Sequence, residues 1–300
     1  MFTPFDAAGT RQITLNPTSI DYGGAERGEP LNRSVSVTNG GTAALVGYFS
    51  TDGGFAVAAG QNGMMNVPAP LDNQGQLLAS VAVYSNAPSS PSMISVSGTI
   101  LQPKTLDVNN IKMYALRNGR TNEGPYFGPA FEWPKGSGKS PLYASGLWVA
   151  AQVNGTPTKG VVHYNSEYQA GPAPSGTPVD PSNTRYRVYK VSKGDNAGSN
   201  ADYAQWPGDL GAPVNVDGTP KVLGDQRLFA AYNDLNAGLH GAYGVGAPLG
   251  AEVRQTTYGY NLAGAIQNTV FIRYKIINRS NQTWANAYAA LWSDADLGDA

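Results

Sequence analysis

The chain has 300 residues, 41% of them hydrophobic and only 14% Asp, Glu, Lys or Arg, with a formal net charge of −1. So balanced a charge excludes the basic footprint of a nucleic-acid binder, and no apolar run reaches the roughly 18 residues of a membrane-spanning helix. Charge is well below the roughly 25% of an average soluble protein. The 37 Gly, 21 Pro and 17 Tyr that stand in its place point to a turn-rich, all-β protein. Cysteine is absent, which removes disulfides, thiolate nucleophiles and thiolate metal sites together.

Residues 1–10, MFTPFDAAGT, form an N-terminal extension without the basic and apolar regions of a signal peptide. Residues 11–102 then carry short alternating apolar runs at Gln12–Leu15, Ser19–Tyr22, Arg33–Thr38, Leu45–Thr51, Phe55–Ala58, Leu77–Tyr84 and Ile94–Leu101. Turn residues such as Asn39-Gly40-Gly41 and Asp52-Gly53-Gly54 separate them. Seven short strands over this length predict an immunoglobulin-like β-sandwich without a disulfide. The segment LNPTSIDYGGAERGEPLNRSVSVTNGGTAAL, and within it Arg33-Ser34-Val35-Ser36-Val37-Thr38-Asn39-Gly40-Gly41, resembles Ig-like modules of the ASPM–SPD-2–Hydin type that repeat in bacterial surface proteins.

Gln102-Pro103-Lys104-Thr105 reads as a linker, and residues 106–300 as a second, larger β-sandwich. Strands are expected at Ile111–Leu116, Leu142–Val153, Gly160–Tyr164, Arg185–Ser192, Arg227–Tyr232, Ala251–Tyr260 and Thr269–Asn278. Long Gly/Pro/Asn loops separate them; the nearest thing to a helix is a single turn at Ala201–Gln205. The last stretch, TVFIRYKIINRSNQTWANAYAALWSDADLGD, alternates over Val270–Ile277, turns at Asn278–Asn281 and runs apolar again from Trp284 to Trp292. It predicts a hairpin in a sheet core that delivers carboxylates to one end. The abrupt end after this acidic loop suggests a domain truncated at its C-terminus.

The blocks LDVNNIKMYALRNGR, EWPKGSGKSPLYASGLWVAAQVNG, RYRVYKVSKGD, NADYAQWPGDLGAPVNVDGTPKVLGDQRLFAAYND, APLGAEVRQTTYGYN and NTVFIRYKIINRS…LWSDADLGDA occur in that order. Together they resemble a module of large secreted proteins of the Bacteroidetes–Ignavibacteria group, many of which carry a type IX secretion sorting domain. The resemblance implies secretion, attachment to the bacterial cell surface and a multidomain parent, with no established activity.

Five groups of residues could carry chemistry. Asp294, Asp296 and Asp299 surround Gly298 with hard oxygen ligands and could wrap a Ca²⁺, although six to eight ligands are needed and the EF-hand spacing is absent. The competing reading is a solvated loop whose aspartates cap their own backbone. Lys135-Gly136-Ser137-Gly138-Lys139-Ser140 looks like a phosphate-binding loop, but Trp133 replaces the first glycine and prolines flank it, so a glycine-rich turn into the next strand is expected. Only two histidines exist, His163 and His240, and neither belongs to a nucleophile elbow or a zinc-spaced pair. Glu132, Glu167, Asp225, Asp234 and Glu252 could supply a glycosidase pair, but nothing in the sequence pairs them. Finally, Tyr126, Phe127, Phe131 and Trp133 crowd one loop and Tyr203 and Trp206 another. Such rings either stack on sugars and protein partners or serve as a secondary core under the loops.

The expectation from sequence is therefore a non-catalytic structural or adhesive segment of a secreted bacterial surface protein. Its partners would be further copies of itself, other surface proteins or glycans, and the N-terminal extension is a candidate for strand addition to a neighbour's sheet edge. The alternative is a carbohydrate-binding module or carbohydrate-active enzyme, with Trp133, Tyr126, Phe131 and Trp206 as ligand-binding residues.

Overall fold

The computed structural model describes residues 9–27, 29, 31–51, 53–73, 75–124, 128–241, 243 and 246–296. Tyr126, Phe127, Asp299 and most of the N-terminal extension lie outside them. The chain is all-β and divides into two compact units, Met1–Leu101 and Gln102–Ala300.

The first unit has eight strands: β1 (Ile13–Asn16), β2 (Ser19–Glu26), β3 (Asn32–Asn39), β4 (Leu45–Phe49), β5 (Gly54–Val57), β6 (Asn62–Pro68), β7 (Ser80–Ser85) and β8 (Ser92–Leu101). One sheet runs β1-β3-β6 and the other β2-β8-β7-β4-β5, with β2 parallel to β8 and every other pairing antiparallel. Alternation sets which side chains meet between the sheets: Val35 and Val37 from β3, Leu45 and Phe49 from β4, Val81 and Val83 from β7, and Ile94 from β8 are all buried. Each removes on the order of 1.5–3 kcal/mol worth of apolar surface from water. The Asn39-Gly40-Gly41 turn has a structural reason. The buried Asn39 amide donates to the carbonyls of Ala43 and Val57 and accepts from the Gly41 N–H, closing the loop around its own side chain. Gly47 is dictated by packing, since a Cβ there would stand 2.3 Å from the Tyr84 carbonyl oxygen. Strand β6 is absent from the sequence reading. Its Gly63, two Asn and terminal Pro68 read as turn, and only Met65 and Val67 point inward.

The second unit contains β9 (Lys104–Leu106), β10 (Met113–Ala115), β11 (Leu142–Val153), β12 (Thr156–Val161), β13 (Gln169–Ala170), β14 (Tyr189–Ser192), β15 (Gln226–Asn233), β16 (Ala251–Gly259), β17 (Phe271–Asn278) and β18 (Trp284–Ala295). Among the described residues one α-helical turn, α1, spans Ala201–Ala204, with Asn200 capping the Asp202 N–H. A three-stranded sheet, β12-β11-β18, faces a larger one, β13-β15-β16-β17, to which β14 adds on β15. Leu147, Val149 and Ala151 from the first meet Leu228, Ala230, Tyr232 and Val253 from the second. On its other side β15 is covered by the loop around α1, where Phe229 and Ala231 pack with Leu210, Ala212, Tyr186 and Trp206. Every residue of β15 is therefore buried.

The expected hairpin at the chain's end is corrected. β17 pairs with β16 and β18 with β11, so the two consecutive strands lie in different sheets. The connection is held as an arch rather than a turn. The Arg279 N–H donates to the Gly250 carbonyl, Arg279 Nε to Glu252 Oε2 at 2.9 Å, and Trp284 Nε1 to the Leu249 carbonyl. These bonds anchor both ends of the connection to the β15–β16 side. A polar cluster in sequence marks a reversal of direction, but not whether the chain stays in plane.

Candidate functional site

The end of the three-stranded sheet carries the densest aromatic and acidic cluster. The register β12-β11-β18 brings His163 and Tyr164, just past β12, beside Tyr143 of β11 and Trp292 and Asp294 of β18. His163 lies 3.8 Å from the Trp292 ring and 4.5 Å from Tyr243, both as ring-centroid distances. Tyr164 stands edge-on to His163, Trp292 and Tyr143 at 4.3, 5.1 and 6.0 Å. Its hydroxyl donates to Asp294 Oδ2 at 2.8 Å, and that bond pushes the phenol pKa up. Burial depresses His163, against the pull of Asp294. Glu123, 4% exposed, forms the floor, with its pKa raised by burial against the nearby Arg120. Arg120 Nη1 sits 3.0 Å from Glu123 Oε2 and donates to the Tyr164 carbonyl, tying floor to wall. Glu123, Tyr143, Tyr164 and Asp294 line an open pocket of ≈ 460 Å³.

Of the three predicted calcium ligands, Asp294 and Asp296 flank the end of β18, and Asp294 lines this pocket. Among the described residues no group of three or more His, Cys, Asp or Glu is arranged to hold a metal ion.

The aromatic candidates separate. Trp206 belongs to the small core over β15 and donates through Nε1 to the Pro213 carbonyl at 2.9 Å. Trp133 is 45% exposed, its Nε1 bonded to Asn268 Oδ1. Phe131 bridges to Leu142 at the start of β11. A pocket of ≈ 330 Å³ is lined in part by Lys112, Tyr114, Pro129 and Glu132, and by none of Phe131, Trp133 and Trp206.

Each carboxylate considered for acid–base chemistry has an internal partner. The phosphate-loop lookalike folds around Glu132. The Gly138 N–H donates to Glu132 Oε1 at 2.7 Å, and with Gly136 it holds that carboxyl below its ordinary range. The glycine-rich loop thus wraps the chain's own anion. For Glu252, burial alone would raise the pKa, but Arg279, the Ala173 N–H and Arg254 outweigh it and hold the group ionised. Asp225 accepts from the Asn261 N–H. Glu167 and Asp234 flank His240 in the interior: His240 Nε2 donates to the Asp234 carbonyl at 2.7 Å, Nδ1 lies 3.6 Å from Glu167 Oε2, and Lys159 Nζ is 3.1 Å from Glu167. Glu167, Asp225, Asp234 and Glu252 are thus held in structural networks, and none of the four lines the ≈ 460 Å³ pocket.

A second feature of this unit is an unfinished flank. Pairing places Leu291 and Ala289 on the same face as Leu147 and Val149, the face that packs the core. Yet Leu291 is 70% exposed. On the opposite sheet Ile272 shares the core face with Tyr274 and Ile276 and is 36% exposed. β17 and β18 are each the last strand of their sheet, with one side of the backbone unpaired among the described strands.

Of the pocket's residues the sequence singles out Asp294 alone, as a calcium ligand, and not Glu123, Tyr143 or Tyr164. They lie 171 to 130 positions from Asp294, and only the β12-β11-β18 pairing unites them. Fold and site together define a two-unit, all-β protein with an aromatic, acid-floored pocket and an open sheet flank. No protein-family model, curated protein or solved structure matches the chain.

Proposed function

We propose that this chain is a non-catalytic structural and adhesive segment of a secreted bacterial surface protein, and that its second unit associates with a further copy through the β17–β18 flank. The observation that carries the reading is Leu291: a core-facing leucine, 70% exposed, on a twelve-residue edge strand. Edge strands are normally blunted by Lys, Pro or a covering loop. From Trp284 to Ser293, β18 holds no charged residue and no proline, and Tyr288 is 72% exposed on its other face.

A second copy suits both edges through charge. β17 carries Arg273 and Lys275 and no acid, while β18 ends in Asp294, with Asp296 just beyond. Pairing β17 with the β18 of another copy joins opposite signs; β17 with itself would set cations against cations. The union would cover Ile272 and Leu291 in one step. An extracellular setting draws support from the low charge, the lack of cysteine and the resemblance to secreted surface modules. Trp133 remains as an exposed ring for a glycan or protein partner.

Sedimentation from micromolar to submillimolar protein tests the reading. The expected result is a mass that rises with concentration, abolished by Leu291→Lys and weakened by Arg273→Glu. A strict monomer over the whole range overturns it, and so does an association that survives Leu291→Lys.

A further inference from the structure

The pocket of Glu123, Tyr143, Tyr164 and Asp294 has features that the assembly reading does not use. Its volume, ≈ 460 Å³, falls within the range of small-ligand sites. Its walls are two tyrosines at 81° to one another, so one offers a face where the other offers an edge. Tyr164 is fixed by the ring stack behind it and by Asp294.

Around this pocket lies a concentration of unmet polar groups. Behind its lining, Arg120 Nε, Asn122 Oδ1 and His163 Nδ1 are buried without a hydrogen bond, and Glu123 Oε2 has Arg120 Nη1 at 3.0 Å as its partner. A buried polar atom left unpaired costs about 1–3 kcal/mol, and native proteins tolerate such atoms mainly where a ligand or ordered water completes them. The fixed charge is negative: Arg120 pairs with Glu123, which leaves Asp294 in the lining and Asp296 within electrostatic reach of Tyr164.

We propose that this pocket binds an organic monocation, an alkylammonium group seated against the Tyr143–Tyr164 pair with Asp294 as its chief counter-charge. Aromatic faces attract a weakly hydrated cation through the ring quadrupole, and the attraction strengthens when water is excluded. A Ca²⁺ ion asks instead for six to eight oxygens, where this pocket offers two carboxylates between rings. A pyranose asks for a flat, open aromatic platform, and these rings meet nearly at right angles. The source of the cation is either a free amine or the ammonium of a lysine side chain.

The test is titration of the whole chain, dilute enough to be monomeric, with choline, N-acetyl-lysine methylamide, 3,3-dimethylbutanol (the neutral isostere of choline), methyl glucoside and CaCl₂, read by NMR shifts of the tyrosine and tryptophan rings. Saturable shifts with choline or the lysine amide, and none with the neutral isostere, are expected. Binding of both identifies a free-amine site, and binding of the lysine amide alone a side-chain site. Asp294→Asn and Tyr143→Leu are each expected to weaken binding about tenfold or more with an unchanged circular dichroism spectrum. Leu291→Lys, outside the pocket, leaves binding intact, so this proposal and the assembly reading fail separately. Equal response to the neutral isostere, saturation by Ca²⁺ or the glucoside alone, or undiminished binding in Asp294→Asn overturns the proposal.

Discussion

Strands β15 and β18 make an instructive pair. Both are apolar, both lie in the second unit and both pair antiparallel with long neighbours. In β15, QRLFAAYN, every residue is buried; in β18, WANAYAALWSDA, every residue is exposed or half-exposed. The difference lies in their surroundings. β15 has strands on both sides, a facing sheet under Leu228 and Ala230, and the loop around α1 over Phe229. β18 has one neighbour and an open flank. Burial is thus a property of position in the sheet, and an apolar strand without cover is a surface waiting for a partner.

The largest effect that sharpens this contrast comes from Phe229→Ala. The ring sits 2% exposed among Trp206, Leu210 and Ala212, and its removal leaves a cavity the α1 loop cannot easily close. Urea denaturation is expected to show a loss of about 3–5 kcal/mol, with the near-ultraviolet signal of Trp206 altered. A loss below about 1 kcal/mol would mean that the loop is a loose cover and that β15 is not the buried centre of the unit.

A smaller, pH-dependent effect resides just past the end of β15. Burial pushes the Asp234 carboxyl up to about 6, against the N–H groups of Ala251 and Leu249 that favour its ionised form. A raised carboxyl pKa means that the folded state holds its proton more tightly than the unfolded one. The stabilisation is complete below the ordinary value of 3.8 and disappears as pH rises through about 6. Asp234→Asn removes this titration. The stability of the native chain relative to the variant should fall by about 2 kcal/mol between pH 4 and pH 7. A difference independent of pH would show that the amide donors, with His240 beside them, outweigh burial.

Much of this architecture was legible in the chain. The alternation of Val35 and Val37, the Asn39-Gly40-Gly41 turn and the bounds of Leu142–Val153 could all be read because period-two patterning and turn chemistry are local. Pairing is not local. Nothing in TVFIRYKIINRSNQTWANAYAALW distinguishes a hairpin from an arch. The arch depends on Gly250 and Glu252, which receive Arg279 from just past the end of the neighbouring strand β17. The pocket failed to appear for the same reason: Tyr143 reads as a strand tyrosine and Glu123 as a loop acid until β11 lies between β12 and β18. Trp206, an aromatic on a long loop, could be read either as a ligand platform or as hidden core, and the structure buries it against Phe229.

The smallest expected effect tests the comparison most closely. Leu291 and Leu147 stand opposite one another on paired strands and on one face, differing chiefly in exposure, 70% against 3%. Leu147→Ala would follow the large losses of a core leucine. Leu291→Ala in the dilute monomer should change stability by no more than about 0.5 kcal/mol, because most of its side chain is already in water and its removal opens no cavity. The same substitution should weaken association at high protein concentration, where the leucine would be covered. Denaturation run at two concentrations separates these outcomes: a near-zero change when dilute and a measurable one when concentrated places Leu291 at an interface. A full core-sized loss in the dilute monomer would mean that the flank is already closed in solution and that β18 differs from β15 far less than its exposure indicates.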